Sequence, residues 1–415
     1  ILKSSRELFS STSPKTRLRL YEYLPGSAPR CSILASKMEI LLCFALPSLA
    51  FAGSVGCSSA LDCSMAGLCT NGVCECVTGF HGPKCSALQL MAYKCGSGGL
   101  CVKNGSATWG GSVVEADDGS WHMYAAMMAD NATLQKWLTK SVVLHAVAPK
   151  GSPQGPYIPA DVALAPRPGK FDDQMIHNPD AKRLPVPLSD GSTWAIWYDG
   201  TGKAKPGEDP HSTQRIGLAT ASSPFGPWTR YDDPVLSPSG LNGTWDKNFV
   251  TNPGPFVFPN GSVLLVYKAA GKAPGFHKMN QGIAYSETGA RGPYEKLTSE
   301  TKPLALPGNC EDPGVYYDST PGLEVFRMIL HCGCATQLMW SVDGIEWKES
   351  GPQQTSGWCR GFNYSDGTAG MLATRQRPKW ITDPKTGQAL YLTTGVNRPG
   401  DGGMGHVWTM AAKLV

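Results

Sequence analysis

Charge is scarce in this chain. Asp, Glu, Lys and Arg make up 17% of its 415 residues, against about 25% in an average globular protein. That excludes a coiled coil or an Ala/Glu/Lys/Leu/Arg-rich helical bundle. Neither sign prevails over the body of the chain. Lys and Arg number 37 and Asp and Glu 33. The excess lies in residues 1–52, where Lys3, Arg6, Lys15, Arg17, Arg19, Arg30 and Lys37 face only Glu7, Glu22 and Glu39. The balanced remainder offers no electrostatic footprint for a polyanion, so no nucleic acid partner is expected. Long apolar runs are missing as well. The one that follows Met38 falls short of the ~20 residues of a membrane helix, so no membrane span is expected. A Walker loop, H-E-x-x-H, G-x-S-x-G and the dinucleotide glycine pattern are all absent, and no cofactor is expected.

Turn-forming residues are abundant. Gly and Pro number 48 and 33, about a fifth of the chain against roughly 12% usually. This suits many short strands. The length exceeds the usual single domain, so more than one unit is expected.

The first ninety residues speak of compartment. From Met38 the chain reads MEILLCFALPSLAFAG. Lys37 precedes this apolar run and Ala50-Phe51-Ala52 is a small-residue cleavage site, the pattern of a secretory signal peptide over 38–52. Residues 1–37 read as a leader upstream of initiation at Met38, and the mature chain is expected to begin near Gly53. Cys57, Cys63, Cys69, Cys74, Cys76 and Cys85 then fall within thirty residues. Six cysteines allow fifteen pairings. Cys95 and Cys101 bracket a small Gly-rich loop, and Cys310, Cys332, Cys334 and Cys359 complete an even count, expected to form two bridges in an oxidising compartment. Five N-x-S/T sequons, at Asn104, Asn131, Asn242, Asn260 and Asn363, suit a glycoprotein.

The string Cys74-x-Cys76-x-x-Gly79-Phe80-x-Gly82-x-x-Cys85 resembles an EGF-like module. The resemblance covers 53–86 and implies Cys57–Cys69, Cys63–Cys74 and Cys76–Cys85. It also implies a part in protein contacts. The acidic residues that precede the first cysteine of calcium-binding EGF modules are replaced here by Gly-Ser-Val-Gly, so no calcium is expected there. Residues 87–108 read as a linker.

A repeat runs through 109–415. One phrase ends in Gly-Pro-aromatic, at Tyr157, Trp228 and Tyr294, with a degenerate copy ending at Trp347. A second sets a polar residue before Pro and then an apolar strand, a turn and a stronger apolar strand. Its copies begin at Asn178-Pro179, Asn252-Pro253, Asp312-Pro313 and Arg377-Pro378, and at Gly111 with Ser112 in the proline place. Asp118-Gly119, Asp190-Gly191 and Asn260-Gly261 are tight hairpin signals. Each unit has room for four short strands, the fifth being cut short by the C-terminus. The fold expected is all-β: a five-bladed β-propeller preceded by a small disulfide-rich module.

These phrases resemble the five-bladed propeller glycoside hydrolases of the arabinanase, xylosidase and invertase type, family 43-like. The resemblance implies a carbohydrate substrate and an axial funnel lined by the pre-proline residues Gly111, Asn178, Asn252, Asp312 and Arg377. His177, Glu311 and Arg375 are their neighbours, and Trp109 is a candidate sugar-stacking face. The family's acids in blades one and two are replaced here by Gly111 and Asn178. Glycoside hydrolysis uses two carboxyl groups, and the candidates are Asp312, Glu311 and Asp173. Alternation along a strand predicts that only one of Glu311 and Asp312 reaches the funnel. Asp172 and Asp246 are expected to make turn hydrogen bonds. Arg375 and Arg377 are candidates for substrate anions or for ion pairs with Asp312 and Glu311, and Arg377 is expected to hold Asp312 ionised. His177 and His331 are candidates for a central structural cation or a sugar hydroxyl, with a hydrogen-bonded structural role the favoured reading of each. Asn already fills the pre-proline place in blades two and three, so Asp312→Asn is expected to leave stability nearly unchanged. The leading function is a secreted hydrolase of extracellular poly- or oligosaccharide; the alternative is a non-catalytic sugar-binding or matrix propeller.

Overall fold

The computed structural model describes residues 56–102, 105–270, 279–298, 304, 310–400 and 407–415. The leader, the signal peptide, the expected start near Gly53 and the Asn104 sequon lie outside the described residues. The other four sequon asparagines are exposed.

Five antiparallel sheets form the blades of a propeller. Blade one is Thr108–Glu115, Trp121–Met128, Ser141–Ala148 and Ile158–Leu164. Blade two is Met175–Arg183, Trp194–Thr201, Gln214–Ala221 and Thr229–Arg230. Blade three is Phe249–Val257, Val263–Ala270, Asn280–Ser286 and Glu295–Lys296, and blade four Glu311–Asp318, Val325–His331, Thr336–Ser341 and Lys348–Glu349. Thr374–Thr382, Ala389–Asn397 and Val407–Leu414 begin blade five. The second strands, such as Trp194–Thr201 and Val263–Ala270, are buried along their whole length. Both their faces are covered by neighbouring blades, which explains their unbroken apolar runs.

Blade five is not cut short. Leu90–Ala92, inside the expected linker, pairs with the C-terminal strand in the register Leu90↔Leu414, Met91↔Lys413 and Ala92↔Ala412. An N-terminal strand thus closes the ring on the last one and removes an open sheet edge. Arg360–Tyr364 and Ala369–Met371 extend the same sheet outward.

The EGF-like module carries the three bridges that the resemblance implies. It packs against the propeller. Its Cys63, Ala66, Phe80 and Cys85 share one buried cluster with Tyr316, Ile329, Trp380 and Leu392 of blades four and five. Arg327 of blade four donates to the Met65 carbonyl and lies 4.9 Å from the Phe80 ring centroid. The remaining bridges are Cys95–Cys101, Cys310–Cys332 and Cys334–Cys359. Cys334–Cys359 ties blade four to the segment leading into blade five, whereas Cys310–Cys332 lies within blade four. Among the described residues no helix is long and apolar enough to cross a membrane, and six disulfides fit an oxidising compartment.

Candidate active site

Every innermost strand carries the same irregularity. The ladder to the second strand skips two residues, after Trp109, His177, Thr251, Glu311 and Gln376. The first skipped residue has φ of 66° at Gly110, 48° at Asn178, 53° at Asn252, 65° at Asp312 and 58° at Arg377. Gly, Asn and Asp tolerate this left-handed conformation. The second is Pro, which has no N–H to give the ladder; in blade one it is Gly111. The register corrects the expectation for blade one by one residue: Gly110, not Gly111, takes the pre-proline place. The bulge also breaks strand alternation, so both Glu311 and Asp312 turn toward the axis, contrary to the expectation that only one would.

The pre-proline side chains join across the axis. Asn178 Nδ2 donates to Asn252 Oδ1 (2.7 Å) and to Asp199 Oδ2 (2.6 Å). Asn252 Nδ2 and Arg377 Nη1 both donate to Asp312 Oδ1, and the Arg377 amide reaches Asp312 Oδ2 at 3.2 Å. One residue beyond the bulge, Lys379 Nζ meets Asp180 Oδ2 (2.7 Å) and the carbonyls of Pro253 (2.6 Å) and Pro313 (2.9 Å). This cation closes the tunnel below the ring.

Toward the rim, the ladder pairs His177↔Asp199, Thr251↔Lys268 and Glu311↔His331 set a second tier of polar groups. Lys268 Nζ donates to Glu311 Oε2. His331 lies with Nε2 3.4 Å from Glu311 Oε1 and Nδ1 2.6 Å from Asp312 Oδ2. Burial pushes the Asp312 carboxyl up, but Arg377 and His331 outweigh it and hold the group well below the carboxylate range. Glu311 is likewise held below its ordinary value, burial being outweighed by Lys268 and His331. Asp199 goes the other way. Burial lifts it to about 6, against the opposing hydrogen bond from Thr251 Oγ1. His177 is driven well below its ordinary value by burial and by Arg377, and its Nδ1 lies 2.7 Å from Ser141 Oγ.

Above this tier opens a cavity of about 370 Å³. Trp109, His177, Asn178, Asn252, Glu311 and Arg377, six of the residues singled out in the sequence, line it together with Trp137, His211, Thr251, Lys268 and Gln376. Glu311 is the one carboxylate lining it among the described residues; Asp312 lies just below, on a small axial void. Trp109 is buried and forms wall rather than rim. Trp137 is the aromatic at the mouth, its ring centroid 5.3 Å from His177 and 5.5 Å from His211.

Two candidates lie elsewhere. Asp173 caps a turn, accepting from the Gly169 amide (3.1 Å) and Gln174 Nε2 (2.8 Å). Arg375 is fully buried behind the sheet, 4.5 Å from the Trp358 ring and 5.7 Å from Phe362. It bonds Thr394 Oγ1 and the Trp358 carbonyl at 3.2 Å each and pairs with neither Asp312 nor Glu311. It is the neighbour of the cavity residue Gln376 on a regular strand stretch, so it faces away from the axis. The Asp172 and Asp246 side chains make longer-range contacts instead of the expected turn hydrogen bonds: Asp172 pairs with Arg167 and Arg230 and accepts from the Tyr198 hydroxyl, and Asp246 pairs with Lys296. Glu311, Asp312 and His331 bring ligand atoms within 4.8 Å of one another. Lys268 and Arg377 already supply positive charge there, so this donor set does not fit a central cation.

Sequence reasoning missed Asp199, Lys268, Trp137 and His211. The first two had a signal. In Trp-Tyr-Asp199, Val-Tyr-Lys268 and Ile-Leu-His331 a polar residue ends an apolar second strand at one point of the repeat. Trp137 and His211 stand on insertions that the repeat does not predict.

These features define a five-bladed propeller with a polar funnel. Similar solved structures include Zg3597, a family 117 glycoside hydrolase of the marine bacterium Zobellia galactanivorans, at TM-score 0.55 and 17% identity, covering 78% of this chain and 89% of that one. The catalytic domain of the Coprinopsis cinerea GH62 α-L-arabinofuranosidase matches at TM-score 0.52 and 12% identity, covering 79% and 97%. The Podospora anserina α-L-arabinofuranosidase PaAbf62A, solved with cellotriose, matches at 0.50 and 10%, covering 78% and 96%. No family profile and no curated protein matches the sequence. The fold is therefore shared with propeller-type glycoside hydrolases.

Proposed function

We propose that this chain is a secreted glycoside hydrolase that cleaves O-glycosidic bonds of an extracellular poly- or oligosaccharide in the axial cavity. The observation that carries the reading is the ionised Glu311 carboxylate on a cavity whose mouth holds a Trp face and several hydrogen-bonding groups. Such a carboxylate can activate water or meet the cationic sugar of the transition state. Asp312, from the same strand, stands on the same side and serves to keep Arg377 and His331 in place. The leaving-group proton then needs a second group. Among the described residues, His211 fits, since it lines the cavity and its Nδ1 lies 2.8 Å from Asp209 Oδ1. Signal sequence, bridges and exposed sequons support secretion as a glycoprotein.

One observation favours a non-catalytic, sugar-binding propeller: the one carboxylate that lines the cavity among the described residues is already paired with Lys268. Product analysis on a panel of extracellular glycans separates the two. Hydrolysis is expected, with Glu311→Gln lowering turnover by roughly 10²–10⁴-fold while binding persists. Saturable binding without any product, weakened in Trp137→Ala, would establish the sugar-binding reading instead.

A further inference from the structure

Blade four holds its polar pair at the end of a ladder. In the other blades, pairing between the two inner strands continues rimward past the bulge. It adds Thr108↔Met127 in blade one, Ile176↔Gly200 in blade two, Val250↔Ala269 in blade three and Arg375↔Val396 in blade five. In blade four, among the described residues, the ladder stops at Glu311↔His331. The next residue on each strand is a cysteine, and the two are bonded. A covalent link stands where the other blades have further hydrogen-bonded pairs.

The surroundings make this link the covalent restraint between the two strand ends. After Cys332 the chain turns at once, its amide donating to the Ala335 carbonyl at 2.9 Å. Cys310 is buried, and its carbonyl accepts from Gln281 Nε2 of blade three at 2.9 Å. Glu311 and His331 follow one bond from the bridge on either strand, and the Lys268 contact depends on where Glu311 is held. We propose that the Cys310–Cys332 disulfide is a positioning element of the site: it fixes Glu311 and His331 in register at a ladder end that would otherwise fray. The inference rests on the hydrolase reading for its kinetic consequence, but not for its structural one.

The test is Cys310→Ser/Cys332→Ser, with Cys95→Ser/Cys101→Ser as the control that loses a bridge away from the cavity. If the first variant does not fold, Cys310→Ala/Cys332→Val, which refills the apolar space, replaces it. Hydrogen exchange at 20 °C is expected to quicken in 311–318 and 325–331 but not in the inner strands of blade two. Turnover is expected to fall by about tenfold or more, since small misplacements of a reacting group are costly, with KM changed less than about threefold. The control should keep wild-type kcat. Unchanged exchange in those segments would overturn the clamp, whatever the protein's activity. Faster exchange with unchanged kcat would overturn its role in the site. If the wild-type protein cleaves no glycan, the hydrolase reading fails on its own. Affinity for a bound oligosaccharide then replaces kcat, and an unaltered affinity overturns the positioning role.

Discussion

Blades one and four share a backbone plan and have opposite contents. Both have the two-residue bulge, and both put a left-handed residue at its first position. In blade one the axial places hold Gly110 and, on the second strand, Ala126; in blade four they hold Asp312 and His331, beside Glu311. Blade one buries its histidines away from the axis. His122 Nδ1 lies 2.8 Å from His145 Nε2, whose ring reaches Asp161 through Nδ1 at 3.1 Å. Blade four buries charges that face one another. The repeat therefore dictates where side chains point, while the residue chosen at three or four places in each blade dictates the chemistry. Blade one leaves room, and blade four fills it.

The largest effect should come from blade four. Asp312→Asn leaves Arg377 and His331 without their carboxylate in a buried network, and a broken buried pair costs about 3–5 kcal/mol. Urea denaturation is expected to show that loss. This reverses the sequence-based expectation of nearly unchanged stability. Asn does sit in the same place in blades two and three, but there its amide donates to carboxylate and carboxamide oxygens. A variant as stable as wild type would mean that the pair contributes nothing to the fold.

A smaller effect is expected in blade one. A Cβ on Gly110 would fall 2.5 Å from Arg377 Cβ, at a φ of 66°. Gly110→Ala should therefore cost about 1–3 kcal/mol, read as a drop in melting temperature, and should push Arg377 off Asp312. Full stability with unaltered turnover would show that the gap in blade one is not needed for the ring.

The smallest effect concerns pH. Burial, aided by the neighbouring His145, lowers His122 to about 4, and burial also lowers His145, with Asp161 opposing. The unfolded chain takes up these protons near the ordinary value of 6.5, whereas the fold resists them. Their stability is thus present above pH 6.5 and lost as pH falls toward 4. Asp199, raised to about 6 from 3.8, has the opposite sign. It favours the fold most below pH 3.8 and loses that contribution as pH rises through 6. Melting temperatures measured from pH 8 to 4 should fall, and His122→Gln should flatten the fall. Equal slopes in both proteins would remove blade one as its source.

Much of the architecture could be read along the chain. The polar-Pro phrase fell on the bulge in blades two to five, because a residue without an N–H has few places in a sheet. In blade one Gly111 and Ser112 carry no such constraint, and the register was misplaced by one. Leu90–Ala92 lacked any repeat signal, because three residues paired with a strand more than three hundred positions away leave no local pattern. For the site, Glu311, Asp312, Asn178, Asn252 and Arg377 followed from the repeat. Arg375 adjoins Gln376 of the cavity wall, yet a strand neighbour outside the bulge faces the other way, and Asp173 lies in the turn before the blade-two inner strand, where its carboxylate caps that turn.

The sequence by itself determined the β-rich repeat, the number of blades and the pre-proline ring, since these follow from local turn chemistry and from which residues can stand at a bulge. Only the tertiary structure decided which charges neutralise one another. Lys268 meets Glu311 and Arg377 meets Asp312 because separate blades converge on one axis. Asp199 is lifted to about 6 because convergence of the blades buries it, an effect that the hydrogen bonds from Thr251, Asn178 and Asn252 and the charge of Arg377 only partly offset. Distances between blades depend on ring closure, and no spacing within a single repeat encodes them.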